Sequence, residues 1–289
     1  MNLVSRLIES VDKSRRRIVV LGDAMVDKWV TGHIEDCQDD CQKLTSNSVC
    51  STPGGAANAV ECLRHWHINT DLFTYPGRFW PEKHRFVVDG RIVYRWDREV
   101  KPAEADYKLG EWKYDVNRAL EMVWCASAVL LSDYDKGFLT YDLLGKVIDI
   151  CKDKRIPCVA DCKRTPTTYL DVGVILKYNS DYAKRWQGKL RRWPRDLCVR
   201  TNGAASPSIA YKKLRLSLPE VECHNHVGAG DCFAVHLTLA LGYGYSLKEA
   251  AEIAHSAGRV YVQYFPNRPP HPCEIEQDAK GSCVKSVSA

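Results

Sequence analysis

Apolar positions along the chain follow two rhythms that alternate. Leu3, Leu7, Ile8 and Val11 recur at helical spacing, so residues 3 to 13 are predicted to form a short amphipathic helix. Ile18 to Leu21 follows as a continuous apolar run closed by Gly22-Asp23, the pattern of a strand buried on both faces whose C-terminal end opens onto a ligand site. Comparable runs recur at Ala128 to Leu131, Pro157 to Ala160, Val172 to Leu176 and Leu197 to Val199, with helical stretches such as Leu139 to Cys151 between some of them. This alternation predicts an α/β fold built on a largely parallel sheet.

Two stretches break the rhythm. Residues 43 to 51 and 84 to 97 read as strands, and the second carries Asp89-Gly90 at its centre and so closes as a hairpin. Together they predict a small β appendage, spanning about 30–52 and 84–97. Late in the chain a helix is predicted from Asp231 to about Leu241 and another from Leu247 to about Tyr264, stopped by Pro266. The prolines at 266, 269, 270 and 272, with the Ser, Lys and Gly beyond them, read as a poorly ordered tail over 266–289. No internal repeat or linker divides the rest, so residues 1–265 are expected to form one domain.

Composition narrows the class. A chain of 289 residues that is 45% hydrophobic and 27% charged can bury a large core. The net charge of +5 suits an anionic substrate such as a nucleotide or a sugar phosphate, but is too small to argue for nucleic acid. The runs Arg15-Arg16-Arg17 and Arg191-Arg192 read as solvated surface. The 13 cysteines are odd in number and scattered, as expected of reduced thiols. Cys37/Cys41 and Cys158/Cys162 lack the second close pair that a zinc site would need, so no protein-held metal is expected. No apolar run is long enough to cross a bilayer and the N-terminus has no signal-peptide core, which predicts a cytoplasmic protein without a membrane partner.

The sharpest chemical signal is Val227-Gly228-Ala229-Gly230-Asp231-Cys232-Phe233, a loop of small residues running straight into an apolar helix. Glycines let backbone N–H groups approach an oxyanion, and a helix N-terminus adds partial positive charge, so Gly228, Ala229 and Gly230 suit a transferring phosphoryl group. Asp231 would then be placed to accept the proton of an attacking hydroxyl. The bland alternative is that the glycines only shape a turn and Asp231 caps the helix.

Three motifs in order extend the signal: Gly22-Asp23-Ala24-Met25-Val26-Asp27, Pro53-Gly54-Gly55-Ala56-Ala57-Asn58, and Gly228-Ala229-Gly230-Asp231. With these the chain resembles the ribokinase-like, or phosphofructokinase-B, carbohydrate kinases from about residue 3 to about residue 265. Lys83-His84-Arg85, Tyr94-Arg95-Trp96-Asp97, Leu131-Ser132-Asp133-Tyr134-Asp135-Lys136-Gly137 and Asp161-Cys162-Lys163-Arg164 are similar to the pattern of the heptose-7-phosphate kinases. The resemblance implies a three-layer α/β/α core with a β lid, and ATP with Mg²⁺ as cofactors. It also implies transfer of the γ-phosphate to a sugar or sugar phosphate, best D-glycero-D-manno-heptose 7-phosphate, and a homodimer joined through the lid.

Site roles follow from the same resemblance. Asp27, Gly54, Gly55 and Asn58 would meet the sugar, a carboxylate and a carboxamide being apt partners for hydroxyls. Lys83, Arg85 and Arg95 on the lid would hold a substrate phosphate. Lys163, Asn179, Thr201, Gly203 and His255 would meet the nucleotide. A Walker loop and a dinucleotide-binding Gly-x-Gly-x-x-Gly are both absent.

The chain departs from the family pattern at Asn225 and Val227, where Asp and Thr are usual, which weakens the expectation of activation by a monovalent cation. It departs again at Tyr182, where the Glu of an Asn-x-x-Glu is usual and helps to organise Mg²⁺. Between Tyr75 and Lys83 a helix-containing segment is missing. These departures keep open a catalytically weak sugar- or nucleotide-binding protein, or a kinase of another sugar or a nucleoside.

Overall fold

The computed structural model describes residues 1–36, 42–75, 80–99, 116–164, 173–186, 194–203, 205–209, 212–214 and 218–281. Helix α1 (Leu3–Lys13) leads into β1 (Arg17–Gly22), which is flanked on one edge by β4 (Asn69–Phe73) and on the other by β7 (Ala128–Asp133). The sheet continues through β8 (Cys158–Cys162), β9 (Ile175–Asn179) and β10 (Cys198–Asn202), every pair from β4 to β10 being parallel. It ends in two antiparallel edge strands, β11 (Ala205–Ile209) and β12 (Lys212–Lys213). The predicted apolar runs therefore became central parallel strands, with boundaries moved by up to three residues; Val172, the expected start of β9, lies outside the described residues.

Successive residues of the central strands feed opposite layers. Ile18, Val20, Ala128 and Leu130 join the core under α1, α2 (Ala56–Glu61), α6 (Ala229–Gly242), α7 (Leu247–Tyr261) and α8 (Pro272–Ala279). Val19, Leu21, Val129 and Leu131 join the opposite core, under α3 (Val116–Trp124) and α4 (Tyr141–Lys154). That two-residue period fixes a three-layer α/β/α architecture and explains why these strands are apolar without alternation. Helix α6 is buried from Asp231 to Gly242 because it packs on β7 and β8 on one side and on α2 and α7 on the other.

The stretch read as a disordered tail is corrected over its described part. Residues 272–279 are α8, with Pro272 at its first turn and His271 as the N-cap, whose ring accepts from the Cys273 N–H. Proline in that place is a helix start, since its missing N–H would have had no helical partner. Ile275 enters the core, Arg259 of α7 pairs with Asp278 at 3.0 Å, and Arg268 and Tyr264 converge on the buried carboxylate of Glu274. Residues 282–289 lie outside the described residues.

The β lid is a second sheet of order β3-β2-β5-β6, made of β2 (Ala24–Asp36), β3 (Gln42–Gly55), β5 (Glu82–Val88) and β6 (Arg91–Arg98). It begins earlier than expected, because β2 starts one residue after β1 and runs through Asp27. Registers Asp27↔Lys83↔Asp97 and Trp29↔Arg85↔Arg95 put these six side chains on one face. Lys28, His84 and Trp96, with Phe86 and Tyr94, take the other. Directly paired residues share a face, so the pleat alone gathers Asp27, Lys83, Arg85, Arg95 and Asp97 on one side.

Candidate active site

Parallel strands all end on the same side, and the ends of β1, β7, β8 and β9 bring Asp23, Tyr134, Asp161, Lys163 and Asn179 up to the N-terminus of α6. Asp23 is buried and accepts the backbone N–H groups of Tyr134 at 2.9 Å, Lys136 at 3.1 Å and Phe138 at 3.1 Å. Burial pushes its carboxyl up, and these hydrogen bonds oppose that. Asp23 thus folds the 133–138 loop over the strand ends.

Gly228 is the N-cap of α6 at φ +84°, and a Cβ there would come within 2.6 Å of both Asn58 Nδ2 and the Tyr261 hydroxyl. Both its conformation and its neighbours require glycine. A Cβ on Gly230 would meet Lys177 Nζ at 2.9 Å, so the loop lies directly against a buried ammonium. Asp231 follows inside the first turn and does not cap the helix, which removes the capping alternative. Its Oδ1 accepts from the Tyr134 hydroxyl at 2.5 Å and its Oδ2 from Asn58 Nδ2 at 3.2 Å. Asn58 is held in turn by Tyr261, whose hydroxyl donates to Asn58 Oδ1 at 3.1 Å.

Asp231 is 3% exposed. Burial first, then the Asp161 carboxylate, push its carboxyl above the usual range, while the Tyr134 hydrogen bond, Lys163 and Lys177 oppose the rise. Asp161 is the counter-ion of two lysines, Lys177 at 2.8 Å and Lys163 at 3.2 Å. Burial drives Lys177 down against the pull of Asp161, whereas for Lys163 burial is outweighed by Asp161 and Asp231, which hold it up. The result is two ammoniums gathered with the Asp161 and Asp231 carboxylates beside the glycine loop.

A cleft of about 460 Å³ opens beside this cluster. Lys163, Asn179, Thr201, Gly203 and His255, expected at the nucleotide, all line it together with Gly228, Ala229 and Gly230. Burial, reinforced by Arg259, pushes His255 down to about 4, so its ring is neutral near pH 7 and presents one donor and one acceptor. The Asn179 side-chain oxygen accepts from the N–H groups of Asp181 and Tyr182 and caps α5 (Ser180–Arg185). Among the described residues no three His, Cys, Asp or Glu gather as a metal cage, and Asp181 is the carboxylate on the cleft wall. This donor set fits Mg²⁺ carried on nucleotide phosphates and water, with Asp181 within the same cleft.

The monovalent-cation site implied by the family does not fit these residues. Asn225 has no charge to offer, its Oδ1 accepts from the Val227 N–H at 3.0 Å, and its Nδ2 donates to Asn267 Oδ1. Asn267 Nδ2 closes the clasp on the carbonyls of Asn225 at 2.9 Å and Tyr261 at 3.2 Å. A pair of carboxamides ties the loop before α6 to the end of α7.

On the other side of Asp231 lie the residues expected at the sugar. Gly54 and Gly55 end β3, a Cβ on Gly54 would fall 2.9 Å from Asp27 Oδ2, and Gly55 at φ +58° backs onto the Asp23 carbonyl. Arg85, expected at a substrate phosphate, is 6% exposed, pairs with Asp27 at 2.6 Å and lies over the Trp29 ring at 4.9 Å, so it positions Asp27. Arg95 is committed to Asp97 at 2.7 Å. Lys83 lies over the Tyr134 ring at 5.0 Å and forms no ion pair among the described residues; burial pushes its ammonium down, opposed by Asp27. Sequence reasoning gave no role to Tyr134, Asp161 or Lys177. Lys177 did leave a signal, since a lysine between the apolar residues of a central strand must have a buried counter-ion.

No family model matches the chain. It is 25% identical to the bifunctional protein HldE of Caulobacter vibrioides over 296 aligned residues, covering 86% of this chain and 60% of that protein. The chain therefore spans only about 60% of the length of that relative. The structure of Arabidopsis thaliana ribokinase complexed with ribose and ATP superposes with a TM-score of 0.64 at 16% identity, over 92% of this chain and 99% of that one. Phosphofructokinase-2 from Escherichia coli in complex with substrates and products gives 0.66 at 14% identity, over 92% and 98%. The fold is ribokinase-like, as the three ordered motifs implied.

Proposed function

We propose that the chain is an ATP-dependent sugar kinase with Asp231 as its general base. One observation carries this: a buried carboxylate, its pKa raised by burial, lies in the first turn of α6 behind a Gly-Ala-Gly loop that opens onto a cleft lined by cations. ATP would occupy the cleft, with Lys163, Asn179, Thr201, Gly203 and His255 around it and Mg²⁺ neutralising its phosphates. Asp231 takes the proton of the acceptor hydroxyl as that oxygen bonds to the γ-phosphorus; the bond from phosphorus to the bridging oxygen breaks and ADP leaves. Gly228, Ala229 and Gly230, with Lys163 and Lys177 behind them, offset the charge on the moving phosphoryl group.

Asp27, Gly54, Gly55 and Asn58 surround the acceptor. A phosphorylated sugar, best D-glycero-D-manno-heptose 7-phosphate, is favoured because Lys83 offers a half-buried ammonium without an ion pair among the described residues, on the face of the lid turned toward Asp27. The lid's other face supports a homodimer: Tyr94 and Trp96 stack on Phe86 and His84 yet remain 62% and 49% exposed. No helix among the described residues is long and apolar enough to cross a membrane.

The test is a screen of sugars and sugar phosphates with ATP and Mg²⁺, reading ADP release. Turnover of heptose 7-phosphate in preference to unphosphorylated sugars supports the whole reading. Binding of ATP without turnover on any sugar would instead leave a nucleotide-binding protein.

A further inference from the structure

Tyr134 joins the two halves of the site. It lines the cleft, and its hydroxyl is 2.5 Å from Oδ1 of Asp231, a residue that does not itself line the cleft. Its backbone is pinned by Asp23 at 2.9 Å, and its ring lies within cation–π reach of Lys163 from the end of β8, at 4.9 Å, and Lys83 from the lid, at 5.0 Å.

We propose that Tyr134 is the positioning residue of the base: its hydroxyl on Oδ1, together with the Asn58 amide on Oδ2, locks the Asp231 carboxylate in one orientation and keeps it ionised for the acceptor hydroxyl. The proposal rests on the kinase reading for its reaction, but its effect on the carboxylate can be read without turnover. Burial, and then the charge of Asp231, push the phenol well above its ordinary range, so it remains a donor at every pH of interest. Its hydrogen bond favours the charged form of Asp231, against burial and Asp161.

Other titratable groups that interact electrostatically with Asp231 are Asp161 and Lys163 from β8 and its end, Lys177 from β9, Lys83 from β5, Cys62 at the C-cap of α2, its neighbour Cys232 and Tyr261 of α7. None of them is altered by Tyr134→Phe, which also keeps the ring between its cations. Removing the hydroxyl should therefore raise the Asp231 pKa, so that the base protonates at a higher pH.

The experiment measures kcat/KM against pH, with heptose 7-phosphate and ATP, for the wild type and Tyr134→Phe. In parallel, the Asp231 carboxyl is titrated by ¹³C NMR, assigned by its loss in Asp231→Asn. The expected result is an acid limb and an NMR titration both displaced upward by about one pH unit, a tenfold loss of rate on the acid side, with KM for ATP held within about twofold. Genetic replacement of Tyr134 by 3-fluorotyrosine, a stronger donor, should displace both downward, and it covers the case in which the phenylalanine variant folds poorly. A lower melting temperature with neither titration displaced overturns the proposal. If the wild type turns over no sugar, the kinase reading fails by itself, and the NMR titration still decides whether Tyr134 sets the state of Asp231.

Discussion

Replacing Asp231 by Asn removes the ability to take a proton at nearly constant volume, and the surrounding hydrogen bonds determine what else changes. If the amide oxygen keeps the Tyr134 hydroxyl, the new NH₂ faces Asn58 Nδ2, donor against donor, and Asn58 cannot flip without turning its oxygen onto the Gly228 carbonyl to which Nδ2 now donates. A mismatched buried pair costs about 1–3 kcal/mol. Loss of a buried charge beside Asp161 offsets part of that, since burial disfavours the ionised form. The net change in stability should stay near 1 kcal/mol, or about 2–4 °C in Tm for a domain of this size. The loss in kcat should be far larger, about 10²–10⁴-fold, or roughly 2.7–5.5 kcal/mol on the barrier. Coupled ADP release gives kcat, calorimetry gives the Kd of ATP, and a thermal melt gives Tm. In the wild type the raised Asp231 carboxyl predicts an acid limb of kcat/KM above the usual carboxylate range, because rate is lost as the base protonates; the Asn variant should lack that limb. Turnover within threefold of the wild type would refute the assignment, and so would a collapse in Tm large enough to explain the lost rate.

Arg85→Ala leaves the Asp27 carboxylate buried without its partner, so stability should fall by about 3–5 kcal/mol, and KM should rise alike for phosphorylated and plain sugars; a loss confined to phosphorylated acceptors with an unchanged melt would show that the arginine holds phosphate. The carboxamide clasp of Asn225 and Asn267 predicts that kcat and Tm agree within about twofold and a few degrees in K⁺, Na⁺ and tetramethylammonium buffers; activation by K⁺ alone would contradict it. Tyr94→Glu and Trp96→Glu on the outer face of the lid should convert a dimer to monomer in sedimentation velocity, and an unchanged sedimentation coefficient would remove the lid as the interface.

Much of the architecture was legible in the chain because it is written locally. An apolar run such as Ile18 to Leu21 can satisfy its backbone only inside a sheet covered on both sides, and the Gly-Ala-Gly-Asp loop could be read as an anion site from the conformational needs of glycine and the field of a helix end. Asp231, Asn58 and Asp27 lie within the three ordered motifs, and the residues expected at the nucleotide, Lys163, Asn179, Thr201, Gly203 and His255, line one cleft. Proline 272 misled, because the same residue that ends one helix begins another, and only the docking of Ile275 and the pairing of Asp278 with Arg259 decide which.

Electrostatic partnership was not legible. Arg85 reads as a lid cation until Asp27, 58 residues away, claims it at 2.6 Å, and Tyr134 reads as a loop aromatic until α6, 97 residues on, brings Asp231 against its hydroxyl. Lys177 acquires its counter-ion only when β8 is laid beside β9 and Asp161 meets it. A charge acquires its role from the counter-ion and the burial it finds, and both arise from strand order and layer packing, which bring together residues whose spacing along the chain carries no trace of the encounter.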